Sequence, residues 1–414
     1  MKKEIYNAKD FSIATLNSNA MDRVSKFQNL INELDQNDHN IYWVEAASGV
    51  KPCMKINDTK NNIQKNVISF VSNDYLGMSQ NEKTKEAGIE ALRKYGTGVC
   101  AAPIIGGYLD IHKELEAKIA EFTGQEDAVL FTSGFGSNTG TLNALLGKDD
   151  LALIDNYVHT SVLDGLKGTN KKYIGHNDLD YLELILKKEQ NNFKTIMVII
   201  DGVYSQDGDL SVLPGIKQLC QKYGAILFMD DAHGIGVFGS NGRGTAEHFG
   251  QLGEIDIISG TFSKSFGSVG GFVSGSKLLI QYLKHYVNTT IFSAALTPQV
   301  TASVSKAIDL IKQHPNIRKK LWDNVEYMRE QLTNNGIDFG KTQSPIFPIM
   351  IRDSFKTKEY TRLLHEKDIY TVGIVFPAVR NKDSRIRVTL SASHTKENID
   401  LLVSSLCEIS RTFN

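Results

Sequence analysis

At 414 residues with 41% hydrophobic content, the chain can bury a large core, and its length allows two or three domains. The formal net charge is −1, the pI is near 6.8, and no basic block stands out, which argues against a nucleic-acid partner. The cysteines, Cys53, Cys100, Cys220 and Cys407, show neither CxxC nor metal-ligand spacing, so no metal site and a reducing, cytoplasmic setting are expected.

The chain starts Met1-Lys-Lys-Glu-Ile-Tyr, without the apolar run of a signal peptide. No apolar stretch approaches the roughly 18–20 residues of a membrane span, so no transmembrane segment is expected. Peripheral contact with a membrane stays open. Residues 1–65 read as a polar N-terminal segment with a helix near 20–34 and a small hairpin. A strand at 67–71 runs into Ser72-Asn73-Asp74-Tyr75-Leu76-Gly77. From about residue 80, helix and strand alternate. Leu115, Ile119 and Phe122 lie at helical spacing within 112–122. Short apolar strands follow at 128–131, 151–154, 195–200, 225–229 and 255–258. They end in Thr132-Ser133-Gly134-Phe135-Gly136, in Asp155, in Asp201, in Asp230-Asp231-Ala232-His233, and in the turn that carries Lys264.

Continuously apolar strands separated by helical patterns make a mostly parallel sheet covered on both faces. Ligands of such sheets bind beyond the carboxyl ends of the strands. Ser133, Asp155, Asp201, Asp230, His233 and Lys264 are therefore expected to meet in one crevice. A long helical stretch at 276–332 follows, with Leu321, Val325, Met328 and Leu332 as its core stripe. Strands at 346–351 and 385–390 and helices at 358–367 and 396–410 make a smaller α+β domain. The expected division is 1–65, 66–300 and 301–414.

Gly234-Ile-Gly-Val-Phe-Gly239 matches a dinucleotide-binding fingerprint. It lies deep in the chain and Gly242-Arg-Gly follows it rather than a helix, so an NAD-dependent dehydrogenase is disfavoured. Gly134-Phe-Gly-Ser-Asn138 stands at a strand-to-helix junction, either a phosphate site or a plain tight turn. Asp230 either caps a turn or faces a cation such as a protonated pyridine nitrogen. His159 is structural or stacks on a planar ring. Arg385 and Arg387 share one face of a strand, where an arginine can grip a carboxylate or simply be solvated. Lys264 is a surface cation or an amine that forms a Schiff base with an aldehyde.

Together these strings resemble the pyridoxal-phosphate-dependent α-oxoamine synthases over Ser72 to His394. The match rests on Ser72-Asn-Asp-Tyr-Leu-Gly, Tyr95-Gly-Thr-Gly, Leu109-Asp-Ile-His-Lys-Glu-Leu-Glu, Thr132-Ser-Gly-Phe, His176-Asn-Asp, Asp201-Gly-Val-Tyr-Ser-Gln-Asp-Gly-Asp, Asp230-Asp-Ala-His-Gly, Gly260-Thr-Phe-Ser-Lys-Ser-Phe-Gly and Arg385-Ile-Arg-Val-Thr. The resemblance implies an α/β, fold-type I transferase, its large domain built on a mostly parallel sheet and its smaller C-terminal domain α+β. It implies a homodimer with the active site at the subunit interface. Lys264 would then carry pyridoxal 5'-phosphate and move the substrate's Cα proton. Asp230 would pair with the pyridinium nitrogen and His233 would lie near the phenolic oxygen. His159 would stack on the ring with Ser205 beside it. Gly134 and Phe135, with Thr261, would hold the phosphate, and Ser133 would be a further cofactor contact. Asp201, also a cofactor contact, stands where many relatives have glutamate. Asn73 and Arg387 would take the amino-acid carboxylate.

The reaction implied joins an amino acid to an acyl-CoA or acyl-carrier-protein thioester, with loss of CO2, to give an α-amino ketone. Gly260-Thr-Phe-Ser-Lys-Ser with Gly270-Gly-Phe, Thr342-Gln-Ser-Pro-Ile and Phe376-Pro-Ala-Val resemble bacterial serine palmitoyltransferases of sphingolipid synthesis. Asp230-Asp-Ala-His-Gly and Val388-Thr-Leu-Ser-Ala-Ser-His also suit the 8-amino-7-oxononanoate synthases of biotin synthesis, and glycine C-acetyltransferase is a further alternative. Two positions depart from the pattern. Ser293 precedes Ala294 and Ala295 where relatives often have further hydroxyls facing the neighbouring subunit's phosphate. Pro103 stands where an arginine is frequent.

Overall fold

The computed structural model describes residues 8–11, 18–58 and 62–413. Residues 1–7, on which the expectation of no signal peptide rests, and 59–61 in the hairpin region lie outside them. The chain forms two compact units, residues 73–321 and residues 1–72 with 322–414.

The 73–321 unit is built on seven strands. Their order is Asp127–Phe131, Gly271–Gly275, Ile257–Thr261, Ile226–Asp230, Ile196–Asp201, Leu151–Asp155 and Asn170–Ile174. Neighbours from Ile257–Thr261 to Asn170–Ile174 pair in parallel, and Gly271–Gly275 runs antiparallel to both of its neighbours. Leu151–Asp155 and Ile196–Asp201 are buried along their whole length. That burial on both faces is why their sequence is continuously apolar. Phe131, Ile154, Ile199, Phe228 and Val273 pack with Leu142, Leu146, Leu283 and Val287 in one core cluster. Each such side chain contributes about 1.5–3 kcal/mol on burial.

Two strands lie outside the expected apolar runs. Asn170–Ile174 is an edge strand with Lys171 and Lys172 in it. Gly271–Gly275 opens on a glycine for a steric reason, since a Cβ on Gly271 would stand 2.7 Å from the Cα of Gly134. The helical stretch after residue 276 is divided into Lys277–Tyr286, Asn288–Ile291, Pro298–Gln313 and Pro315–Asn334. Pro298 and Pro315 open two of these helices, where a missing N–H leaves no bond unmade.

In the other unit, Ile63–Ser69 pairs antiparallel with Cys53–Asp58 and parallel with Ile369–Tyr370. These pairings group the N-terminal residues with the C-terminal ones rather than leaving them as a separate segment. The strand ends at Ser69, whose carbonyl accepts from His394 Nε2 at 3.0 Å, and the Phe70 ring stacks on His394 at 4.6 Å. A three-stranded sheet, Ile346–Met350, Arg385–Thr389 and Val372–Ile374, packs with the helix Ser354–Glu366, and that helix packs with Lys396–Thr412. Among the described residues, no helix is long and apolar enough to cross a membrane.

Candidate active site

The strands that end at Phe131, Asp201, Asp230 and Thr261 deliver their next residues to one pocket of about 260 Å³ within the 73–321 unit. Ser133, Gly134, Phe135, His159, Asp201, Ser205, Asp230, His233, Thr261 and Lys264 line it, together with Asn138, Val203, Ala232, Gly260 and Ser263.

Asp155 is not part of this lining, contrary to the expectation from its place at a strand end. Ile154 is in register with Ile199, whereas Asp201 is in register with Asp230. Asp155 is therefore level with Ile200, and the alternation of strand side chains turns it to the face opposite Asp201. There its carboxylate accepts from the backbone of Tyr157 and Asn177 and faces His176. Asn73 is also outside the lining, its carbonyl accepting from Tyr75 N at 2.8 Å. Arg387 belongs to the other unit and donates through Nη1 to Thr389 Oγ1 at 2.9 Å.

The helix Gly134–Leu145 starts at the pocket. Ser133 Oγ accepts from Gly136 N at 2.9 Å and caps it. A Cβ on Gly134 would stand 2.8 Å from Thr261 Cβ and 2.9 Å from its Oγ1, so only glycine allows this approach. Thr261 Oγ1 donates to Gly270 O at 2.9 Å and lies 2.7 Å from Ser263 Oγ. First-turn N–H groups beside two hydroxyls make a site for an anion.

Asp230 is held from both sides. Its Oδ1 accepts from Ala232 N at 2.9 Å and its Oδ2 from Asn138 Nδ2 at 2.6 Å. Because a carboxylate only accepts, the Asn138 amide is oriented unambiguously. Its nitrogen also donates to Ser161 Oγ at 2.9 Å, which leaves the Ser161 hydroxyl hydrogen for His159 Nδ1 at 2.7 Å. His159 is thus an acceptor at Nδ1. Burial pushes its pKa below the ordinary value, Asp230 opposes that and Lys264 adds to it. The Asn138 string was conspicuous in the sequence, but its link to Asp230, 92 residues away, was not.

His233 Nδ1 meets the buried Tyr75 hydroxyl at 2.7 Å. Asp201 is buried at the pocket wall, and that burial, with Asp230 nearby, pushes it well above the usual carboxylate range. Asp231 turns away from the pocket and takes bonds from Thr245 N at 2.9 Å and Thr245 Oγ1 at 2.8 Å. Burial pushes it up to about 7. A Cβ on Gly234 would stand 2.0 Å from Asp231 Oδ1, and one on Gly244 would stand 2.0 Å from its Oδ2. The first glycine of the dinucleotide-like string therefore closes round a carboxylate.

A family model described as aminotransferase class I and II matches residues 65–406. An 8-amino-7-oxononanoate synthase from Petrotoga mobilis is 42% identical over 84% of this chain and 89% of its own length. A serine palmitoyltransferase from Sphingobacterium spiritivorum is 39% identical over 94% of this chain and 96% of its own. Among solved structures, a serine palmitoyltransferase from S. paucimobilis with bound PLP and myriocin is similar with a TM-score of 0.88 and 28% identity. That match covers 94% of this chain and 98% of the other.

Proposed function

The chain belongs to the aminotransferase class I and II family, in its α-oxoamine synthase group, and we propose that its substrates are serine and a long-chain acyl thioester. The enzyme depends on pyridoxal phosphate and catalyses a decarboxylative condensation, joining an amino acid to an acyl thioester with loss of CO2.

The pocket fits that cofactor. The Gly134 approach to Thr261 leaves helix N–H groups and hydroxyls together for a phosphate, and the Asp230 carboxylate is fixed for a cationic nitrogen. When bound, the cofactor supplies an aldehyde carbon and an electron-withdrawing pyridine ring. Lys264 would provide the amine that holds the cofactor and a base for the substrate's Cα proton. Asp230 would hold the cofactor's pyridine nitrogen in its protonated form. His159, neutral and oriented through Ser161, offers a flat ring face. His233, set by Tyr75, and Ser205 would line the pocket beside the cofactor. The active form in this reading is a cytoplasmic homodimer.

The observation that carries the reading is the meeting of Lys264, Asp230 and His159 in one pocket at the strand ends. The preference for serine draws on the Sphingobacterium relative, which matches almost the full chain. The 42% identity to the Petrotoga enzyme favours a second reading, 8-amino-7-oxononanoate synthesis. A visible-absorbance titration of the cofactor-loaded protein with serine, alanine and glycine, followed by a panel of CoA and carrier-protein thioesters, separates them. Serine with a palmitoyl thioester is expected to give the highest kcat/KM. Alanine with a pimeloyl thioester in that place establishes the second reading. A protein that takes up no cofactor overturns both.

A further inference from the structure

The string His176-Asn177 and the end of the Asp201–Asp209 string have no part in the pocket lining, yet the structure brings them together. His176 Nε2 is 2.7 Å from Asp209 Oδ2, and its Nδ1 is 3.1 and 3.2 Å from the two Asp155 oxygens. Asp155 is almost fully buried. Carboxylates only accept, so both ring nitrogens carry protons and the ring is an imidazolium. The Tyr157 ring stacks on it at 4.4 Å, and Tyr204 meets it edge-on at 4.4 Å. Asn177, at φ 56°, reaches the same segment from the next position. Its Oδ1 accepts from Val212 N and its Nδ2 donates to Leu210 O, each at 3.0 Å.

Between these anchors, residues 202–212 form a narrow return. Gly208 N donates to Tyr204 O, Tyr204 N to Asp209 O and Ser211 N to Gly202 O. Side chains alternate along it: Val203 and Ser205 line the pocket, whereas Tyr204 faces His176. We propose that His176 is a positioning residue for the active site, its charged ring fastening the 202–212 segment so that Val203 and Ser205 are presented to the pocket. The proposal rests on the reading of that pocket as the cofactor site. Asp155, Asp209, Tyr157, Tyr204 and the Asn177 amide are the polar groups facing the ring from the packed segments.

The test compares His176→Gln and Asp209→Asn with the unaltered protein, each loaded with pyridoxal phosphate. Cofactor release on dialysis and the visible circular dichroism of the bound cofactor are measured beside thermal melting. His176→Gln is expected to release the cofactor about tenfold faster, the scale of one charge-assisted hydrogen bond, with an altered dichroic band. Asp209→Asn is expected to move both in the same direction by less. A folded His176→Gln with unchanged release and spectrum overturns the proposal. If that variant does not fold, unchanged behaviour of Asp209→Asn overturns it. Ring ¹⁵N shifts of His176 at pH 7.5 give a readout independent of cofactor: two protonated nitrogens are expected, and one bare nitrogen overturns the proposal. Failure of the unaltered protein to bind pyridoxal phosphate instead defeats the functional reading, and the ring shifts still decide the charge on His176.

Discussion

His159 and His176 follow adjacent strands of one sheet, a few residues past Asp155 and Ile174, and stand in opposite electrical surroundings. His159 receives a hydroxyl hydrogen at Nδ1, and burial pushes its pKa down. For His176, burial alone would act the same way, but the Asp155 and Asp209 carboxylates override it and raise the ring to about 9. The difference is one of strand face. The pocket face keeps a neutral ring beside a lysine and acids, and the opposite face keeps a charged ring between two carboxylates. Chemistry and anchoring are thereby separated by the register of a single strand.

The sharpest way to break this division is to remove the amine on the pocket face. Lys264→Ala should lower turnover by at least about a thousandfold, as the holding amine and the proton carrier are lost together. Borohydride-trappable cofactor should disappear while the apo-protein's melting point stays close to that of the unaltered chain. A folded Lys264→Ala protein with full condensation activity would sink the assignment of the pocket.

The next effect is on stability against pH. His176 is raised above its ordinary 6.5, so its contribution is fully present below that pH and is lost as pH rises through about 9. The scale of that loss is about 3 kcal/mol. His159, depressed from 6.5, has the opposite sign: it weakens the folded state as pH falls below that value. Urea unfolding of the apo-protein at pH 6.5 and 9.5 should therefore show a loss that His176→Gln largely lacks. Equal losses in both proteins would show that the His176 charge does not couple to folding.

The pocket face was legible in the sequence because fully buried strands must stop where the first useful polar side chain begins. Asp201, Asp230 and Thr261 each stand at such a stop, and Lys264 follows three residues later. The same rule misplaced Asp155, because an apolar run marks where a strand ends and not which way its last side chain turns. Register with the neighbouring strand decides that, and register is a long-range property. Gly271–Gly275 was not legible because the glycine that opens it answers to Gly134, far away in the chain. The Asn138–Asp230 and His176–Asp209 bonds were hidden for the same reason: each joins motifs visible on their own, across distances that sequence spacing does not encode.

The smallest test bears on how the pocket face keeps His159 neutral. Ser161 gives its hydroxyl hydrogen to Nδ1 because Asn138 already occupies its oxygen. Ser161→Ala removes that donor and leaves only the Ser161 N–H, at 3.3 Å from Nδ1. A bond to the lone pair favours the neutral ring, so its loss should let the ring accept a proton more easily. Its pKa should therefore rise. The titration is followed by NMR on the apo-protein, with His176 as the internal control, since its carboxylates are untouched. A rise at His159 with His176 unmoved keeps the two faces independent. A shift at both would mean that the strand between them transmits the change, and the separation drawn from its register would fail.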